Sequence, residues 1–219
     1  LLVKKLETVQ LPKATAKRLP LYYRYLKTLE DSGVKRIKSK EFSALTQVPS
    51  TTIRRDFSHF GELGRSGYGY DVDHVIEVFD QILNVNKLTK VAIVGVGNLG
   101  KALLANNFRR DENLKIACGF EKDEAQCGEV LSGIPIYSID EMAEIIQEEG
   151  INTAISTVPS QYSQEAIDSL VAAGVTAILN FAPGRVSAPP EVDIRYIDLT
   201  TELLTLIYFN EHLREKVEI

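Results

Sequence analysis

Cysteine and histidine are scarce in this chain, and long apolar runs are missing altogether. The two cysteines among 219 residues are Cys118, inside an apolar stretch, and Cys127, in a polar one. Two such positions make no disulfide framework and fit a reducing compartment. A redox role for Cys127 has nothing specific behind it. The longest apolar runs, such as residues 203–209, are far too short to cross a bilayer, and no basic segment followed by an apolar stretch opens the sequence. A soluble, cytoplasmic protein without membrane attachment is expected, with no metal site. The sequence begins on Leu1, so its true start is not assumed to be represented, and residues 1–11, which show no period, read as a frayed arm.

What is present is unevenly distributed. The formal net charge of −5 hides a basic first third: residues 1–70 carry 14 Lys+Arg against 6 Asp+Glu, and residues 71–219 carry 11 against 24, a net of +8 against −13. Such asymmetry suggests that one end meets a polyanion while the other does not. A hydrophobic content of 44% supports one medium core or two small ones, and two compact domains are expected.

The organising stretch is residues 90–100, Lys-Val-Ala-Ile-Val-Gly-Val-Gly-Asn-Leu-Gly. An apolar β-branched run breaks into Gly95-x-Gly97-x-x-Gly100 and then into a helical pattern, the strand, turn and helix of a dinucleotide fold. The first glycine permits the tight turn, the second lets backbone N–H groups approach a pyrophosphate, and the third lets helix pack on strand. The positive end of that helix faces the phosphates. Val96, Asn98 and Leu99 complete the loop. A second apolar run, residues 115–120, follows at βαβ distance and ends on Glu121, placed to bind ribose hydroxyls.

Before this stretch the chain reads as a small helical domain. Leu19, Tyr22, Tyr23, Leu26 and Leu29 recur at helical spacing within residues 14–31, after Pro12 and before Gly33. Ser39 is expected to cap a short second helix carrying Phe42 and Leu45, and Ser50 a third over residues 51–60. In the third, Ile53, Phe57 and Phe60 form one narrow stripe that must face the core. The opposite face carries Thr51, Arg55, Ser58 and His59 with Arg54 on its flank, side chains suited to base edges and phosphates. Gly61, Gly64, Gly67 and Gly69, with Arg65, Tyr68 and Tyr70, suit a β-hairpin wing along a phosphate backbone. A helix-turn-helix followed by such a wing is winged-helix architecture. Residues 72–83 read as a further helix, and residues 84–87 as a linker.

Beyond the linker, strands near 91–94, 115–120, 134–137, 153–156, 177–180 and 194–197 alternate with helices at 98–108, 139–149 and 163–173. This alternation builds a parallel sheet with helices on both faces. Ligands sit at the carboxyl ends of such strands, so Thr157-Val158-Pro159 and Phe181-Ala182-Pro183 are placed to line the cofactor cleft. The last helix, residues 199–213, is apolar nearly all round and predicts a homodimer built through it. Asp198 before it is suited to cap it.

A small NAD-dependent oxidoreductase with a basic assembly domain is the alternative. Only about 120 residues follow the fingerprint, however, which one sheet consumes, and none of His59, His74 and His212 falls in the cleft region to serve as acid or base. A cofactor cleft without catalytic residues reads as a sensor.

The sequence resembles the Rex family of redox-sensing transcriptional repressors over residues 12–209. The carrying motifs are residues 12–14 with 18–24 (Arg-Leu-Pro-Leu-Tyr-Tyr-Arg), 53–57 (Ile-Arg-Arg-Asp-Phe), 60–64 (Phe-Gly-Glu-Leu-Gly), 67–70, 95–100, 180–183 (Asn-Phe-Ala-Pro) and 197–199 (Ile-Asp-Leu). The resemblance implies an α/β architecture: a winged helix-turn-helix domain over residues 1–84, a Rossmann NAD(H)-binding domain over 85–197, and a domain-swapped C-terminal dimerisation helix over 198–219. It implies a homodimer that holds double-stranded operator DNA when NAD⁺ dominates and lets go when NADH binds. Lys13, Arg18 and Thr52 join the expected DNA contacts, and Asp198 is implied to couple to Arg18 and to the nicotinamide end of the cofactor. Two positions depart from the pattern: Asn106 stands where many members carry tyrosine, and Glu121 where many carry aspartate. Glutamate still repels a 2′-phosphate, so NAD is expected over NADP, with Lys122 next door working against it.

Overall fold

A computed structural model describes residues 11–65, 67–83, 87–106 and 113–214, and its chain divides into two units, Leu1–Lys87 and Leu88–Ile219. Residues 1–10 of the arm expected over 1–11, residues 84–86 of the linker expected over 84–87, and the expected helix end at Phe108 lie outside the described residues.

The first unit opens with α1 (Lys13–Asp31), which buries Leu19, Tyr22 and Leu26 along one face. Pro20 sits inside it, so one intrahelical bond is lost, yet the helix continues because the buried face holds it. Gly33, at φ +74°, closes it: its N–H donates to Glu30, and the N–H of Val34 donates back to Leu29. After β1 (Arg36–Ile37) comes α2 (Ser39–Thr46), whose start differs from expectation. The capping position is Lys38, whose N–H donates to the Glu41 carboxylate at 2.8 Å, so Ser39 is already helical. The same correction applies to α3 (Ser50–Ser58). Pro49 holds its capping position with ψ 135°, and its fixed φ starts the helix at Ser50 without any side-chain cap. The helix also stops two residues early, with His59 and Phe60 in a tightened turn before Gly61.

Ile53, Phe57 and Phe60 are buried as the stripe required. Phe57 is the hub, with Tyr22, Phe42, Tyr70 and Phe79 ring centroids between 4.7 and 6.0 Å away. The hairpin of β2 (Gly64–Arg65) and β3 (Gly69–Asp71) joins β1 in a sheet of order β1-β3-β2. A Cβ on Gly69 would lie 2.6 Å from the Ile37 carbonyl, and its φ is +82°, so glycine is required where the wing crosses β1. Helix α4 (Val72–Leu83) closes the core with Val72, Val75, Ile76 and Phe79.

The second unit runs β4 (Thr89–Val94), α5 (Asn98–Asn106), β5 (Leu114–Glu121), β6 (Val130–Leu131), β7 (Ile134–Ser138), a 3₁₀ turn (Ile139–Glu141), α6 (Met142–Glu149), β8 (Thr153–Ser156), a 3₁₀ turn (Ser160–Tyr162), α7 (Ser163–Ala172), β9 (Ala177–Asn180), β10 (Asp193–Tyr196) and α8 (Leu199–Arg214). Its sheet has the order β10-β9-β8-β4-β5-β7-β6. All pairings are parallel except the edge strand β6, a two-residue hairpin arm too short to show as a pattern in the sequence. Alternate residues of β4 feed opposite cores, Ala92 and Val94 packing with α6 and α7, and Val91 and Ile93 with Leu104 of α5. Two buried faces explain why β4 reads as an unbroken apolar run. Helix α8 is exposed at every position from 199 to 211.

Candidate functional site

The glycine loop has the geometry that its spacing requires. Gly95 has φ +87°, and a Cβ there would lie 2.9 Å from the Val158 side chain. At Gly100 a Cβ would sit 2.2 Å from the Gly95 carbonyl oxygen, so loop and helix can approach only through glycine. Gly97 is different: nothing stands within 4 Å of its Cβ position. The first and third glycines serve the protein's own packing, and the second leaves a space at the N-terminus of α5 that a phosphate group fits.

That space belongs to a cavity of about 530 Å³ at the carboxyl ends of β4, β5 and β8. Of the expected cofactor residues, Gly95, Gly97, Asn98, Glu121, Thr157, Val158 and Pro159 line it. Val96 is buried behind the loop, Gly100 is buried in the helix contact, and Leu99 is exposed beside it. Phe181, Ala182, Pro183 and Asp198 lie outside its wall. Lys122, weighed in the sequence only as the neighbour of Glu121, lines the cavity too, and reasoning from sequence missed Asp123, Ile139, Tyr162, Glu165, Ala166 and Ser169, of which only Asp123 carried a signal, by following Glu121 and Lys122.

Glu121 is held firmly. Its carboxylate accepts from the Val96 N–H at 2.6 Å, from the Lys122 N–H at 2.7 Å and from the Asp123 N–H at 3.4 Å. The acid at the end of β5 thereby ties the glycine loop to the neighbouring strand. Thr157 makes a second tie, its hydroxyl donating to the Gly95 carbonyl at 2.6 Å. Asp198 caps α8, accepting from the N–H groups of Thr200 and Thr201 and from the Thr201 hydroxyl, and these bonds hold its carboxyl below the usual range. Cys118 is buried in β5, and desolvation pushes its thiol up to about 12. Cys127 is half-buried, with its sulfur 3.4 Å from the carbonyls of Glu121 and Asp123; desolvation and these acids raise its thiol also. Neither thiol is a reactive thiolate.

The first unit presents a basic face. Thr51, Arg54, Arg55 and Ser58 of α3 are exposed, Thr52 and His59 are half-buried, and Lys13 is exposed at the start of α1. Arg65 lies on the wing strand, and Tyr68 at its tip is 72% exposed, with the Arg36 guanidinium 5.8 Å from its ring. A groove of about 560 Å³ runs between α3 and the wing, lined by Lys38, Lys40, Arg54 and Arg65 with Glu62 as its acid. Lys38 and Lys40 were missed, although the run of cations from Lys35 to Lys40 was readable.

Arg18 has a different setting from the other expected contacts. Its guanidinium is bidentate on Asp56, at 2.7 and 2.8 Å. Asp56, fully buried on the inner face of α3, also accepts from the Tyr22 hydroxyl at 2.7 Å and the Thr15 hydroxyl at 2.9 Å. Burial pushes the Asp56 carboxyl up, but the bonds from Arg18, Tyr22 and Thr15 outweigh it and hold it below the ordinary value. Sequence reasoning missed Asp56, since a carboxylate directly after two arginines, Arg54 and Arg55, reads as a solvated charge. Among the described residues no cluster of three or more His, Cys, Asp or Glu forms a metal site, and no helix is long and apolar enough to cross a membrane.

Comparison with known proteins adds the following. Residues 10–58 match the family model described as a putative DNA-binding protein N-terminus, and residues 86–184 match the one described as a CoA binding domain. The chain is 63% identical over 202 residues to the redox-sensing transcriptional repressor Rex 2 of Enterococcus faecalis, covering 92% of this chain and 94% of that protein. It is 55% identical over 201 residues to the repressor Rex of Latilactobacillus sakei, covering 92% and 97%. Among solved structures it is similar to RSP, a Rex-family repressor, at 30% identity with a TM-score of 0.84, covering 95% of this chain and 99% of that one. RSP in complex with β-NAD⁺ and operator DNA matches at 30% identity and a TM-score of 0.84, covering 95% and 97%. RSP in complex with β-NADH matches at 29% identity and a TM-score of 0.83, covering 95% and 99%.

Proposed function

This chain belongs to the Rex family of redox-sensing transcriptional repressors, and from that premise we propose that it binds operator DNA as a homodimer and is released from it by NADH. The relatives named above are repressors, not enzymes. The observation that carries the reading is the union, in one chain, of an outward α3 face of Thr51, Arg54, Arg55 and Ser58 with a cradle left open at Gly97. The residues fit NAD(H): Gly97 and Asn98 would face the pyrophosphate on a loop whose turn is shaped by Gly95, Val96, Leu99 and Gly100, and Glu121 would receive the ribose. Thr157, Val158 and Pro159 form the cleft wall, and Phe181, Ala182, Pro183 and Asp198 serve the nicotinamide side. When bound, the cofactor supplies a nicotinamide that is cationic if oxidised and neutral if reduced.

On the protein side, Thr51, Thr52, Arg54, Arg55, Ser58 and His59 read the major groove, while Lys13, Arg65 and Tyr68 hold the backbone. Helix α8 crosses to the partner protomer, where its apolar side chains accept a neutral ring and disfavour a cationic one. The two reading helices then leave the spacing of successive major grooves. Moving a dimer from mostly competent to mostly incompetent takes about 5 kcal/mol of differential affinity. Coupling of Asp198 to Arg18 has to compete with Asp56, which already holds that guanidinium from a buried position.

The test is fluorescence anisotropy on a duplex selected from random sequence with this protein. NADH should release the dimer at concentrations where NAD⁺ leaves it bound. Equal effects of the two would end the redox reading, and release by CoA alone would assign the cleft to the ligand for which its family model is named.

A further inference from the structure

We propose that Glu165 is a specificity-determining residue of the dinucleotide cavity: by holding Lys122 across the cavity mouth it denies a 2′-phosphate its cation, and so excludes NADP(H). This rests on the reading that the cavity takes NAD(H).

In dinucleotide folds the choice between a ribose 2′-hydroxyl and a 2′-phosphate is made at the end of the second strand, where an acid takes the hydroxyl and a nearby cation accommodates the phosphate. This chain carries both signals side by side, Glu121 and then Lys122. Glu121 alone does not settle the matter, because its carboxylate is already engaged by the N–H groups of Val96, Lys122 and Asp123. Among the described residues that line the cavity, Lys122 is the one cation, beside Glu121, Asp123 and Glu165. Its ammonium lies 3.3 Å from the Glu165 carboxylate, which reaches it from α7, 43 positions along the chain. Both side chains are about two-thirds exposed, at 69% and 66%, so the pair adds little to stability. Its effect falls on the ligand. With Glu165 in place, a dianionic 2′-phosphate meets three carboxylates and an ammonium already engaged. Without it, the same phosphate meets two carboxylates and a free ammonium positioned beside the ribose acid.

Isothermal titration of the full chain with NADH and with NADPH tests this through the ratio of the two dissociation constants. In Glu165→Gln, an isosteric change at an exposed helical position, that ratio should fall roughly five- to tenfold in favour of NADPH, the scale of one charge-assisted hydrogen bond. Adding Lys122→Ala to E165Q should remove the gain. An unchanged ratio in E165Q overturns the proposal, as does a gain that survives the loss of Lys122, which would make Glu165 a simple repulsive charge. If the wild-type chain takes up no NADH at all, the cofactor reading fails and the proposal falls with it. That outcome is separable, because it appears before any variant is made.

Discussion

Replacing Asp56 by alanine should be the most damaging single change in the DNA-binding unit. The substitution removes the acceptor of four hydrogen bonds, two from Arg18 and one each from Tyr22 and Thr15. Arg18 keeps a side chain 24% exposed and can turn toward water, but Tyr22 and Thr15 are buried and leave two hydroxyls without a partner. Each orphaned hydroxyl costs about 1–3 kcal/mol, and breaking a buried ion pair by deleting one partner costs about 3–5 kcal/mol in total, so the two routes agree. With a urea m value of about 1–3 kcal/mol/M, the midpoint for this unit should fall by roughly 2 M. The pH dependence supplies an independent check. Asp56 titrates below its ordinary value of 3.8, so its contribution is fully present above that pH and is lost as pH falls through the folded value. Arg18→Ala should invert this: the carboxylate stays buried without its cation, its folded value rises, and the variant's deficit is larger at pH 7 than at pH 5. Urea unfolding followed by circular dichroism at both pH values reads all of these. A loss below about 1 kcal/mol for Asp56→Ala, or an Arg18→Ala deficit that does not shrink in acid, would refute the reasoning.

The second and third glycines of the loop should separate binding from folding. Gly97→Ala adds a methyl where nothing stands within 4 Å, so melting is unchanged while NADH affinity falls about tenfold or more. Gly100→Ala drives a methyl to 2.2 Å from a backbone oxygen, and the unit should lose roughly 1–3 kcal/mol in thermal unfolding. On α3, Arg55→Ala should cost about 1–3 kcal/mol on the selected operator if the arginine reads a base, as proposed. A uniform loss on all duplexes with a salt slope shallower by about 1 would place it on phosphate instead. Leu206→Glu on α8 should give a monomer by sedimentation equilibrium with its circular dichroism unchanged at low temperature, since Leu206 is 64% exposed in the single chain.

The second unit was the more legible of the two in the sequence. Its central strands are buried on both faces, so apolar runs such as residues 91–94 and 153–156 mark them without help from context, and Gly95 and Gly100 each meet a close approach that a side chain would block. What stayed hidden there depends on contacts distant in sequence. Tyr162, Glu165, Ala166 and Ser169 reach the cavity because the β8–β4–β5 register brings α7 beside the end of β5. The two-residue β6 has no period to read. In the first unit the buried stripe of α3 was legible, but its ends were misplaced by capping rules. Serine was read as the cap at both Ser39 and Ser50, whereas Lys38 holds the first capping position, its N–H bound by the Glu41 carboxylate, and Pro49 with its fixed φ holds the second. Asp56 was opaque for a deeper reason. A charge at a core position can be recognised only once Arg18, 38 residues earlier, is known to meet it.

The exposed face of α8 sets the energy scale for the proposed switch. Leu199, Leu203, Leu204, Leu206 and Phe209 each keep more than half of their surface in water. Burying the remainder against a second copy is worth about 1 kcal/mol or more per side chain, on the order of 10 kcal/mol for the two helices of a dimer. That gross figure lies within the range lost to association itself, about 4–15 kcal/mol, so in the proposed dimer the net hold of one protomer on the other would be modest. A preference of about 5 kcal/mol between two dimer geometries is then comparable with everything else acting on the helix. On this account the apolar character of α8 does two things at once: it joins the protomers, and it makes their arrangement sensitive to whether the ring beside it is charged. A variant that deepens the apolar contact without touching the cofactor cavity should therefore bind operator with the same sequence preference but answer to NADH less.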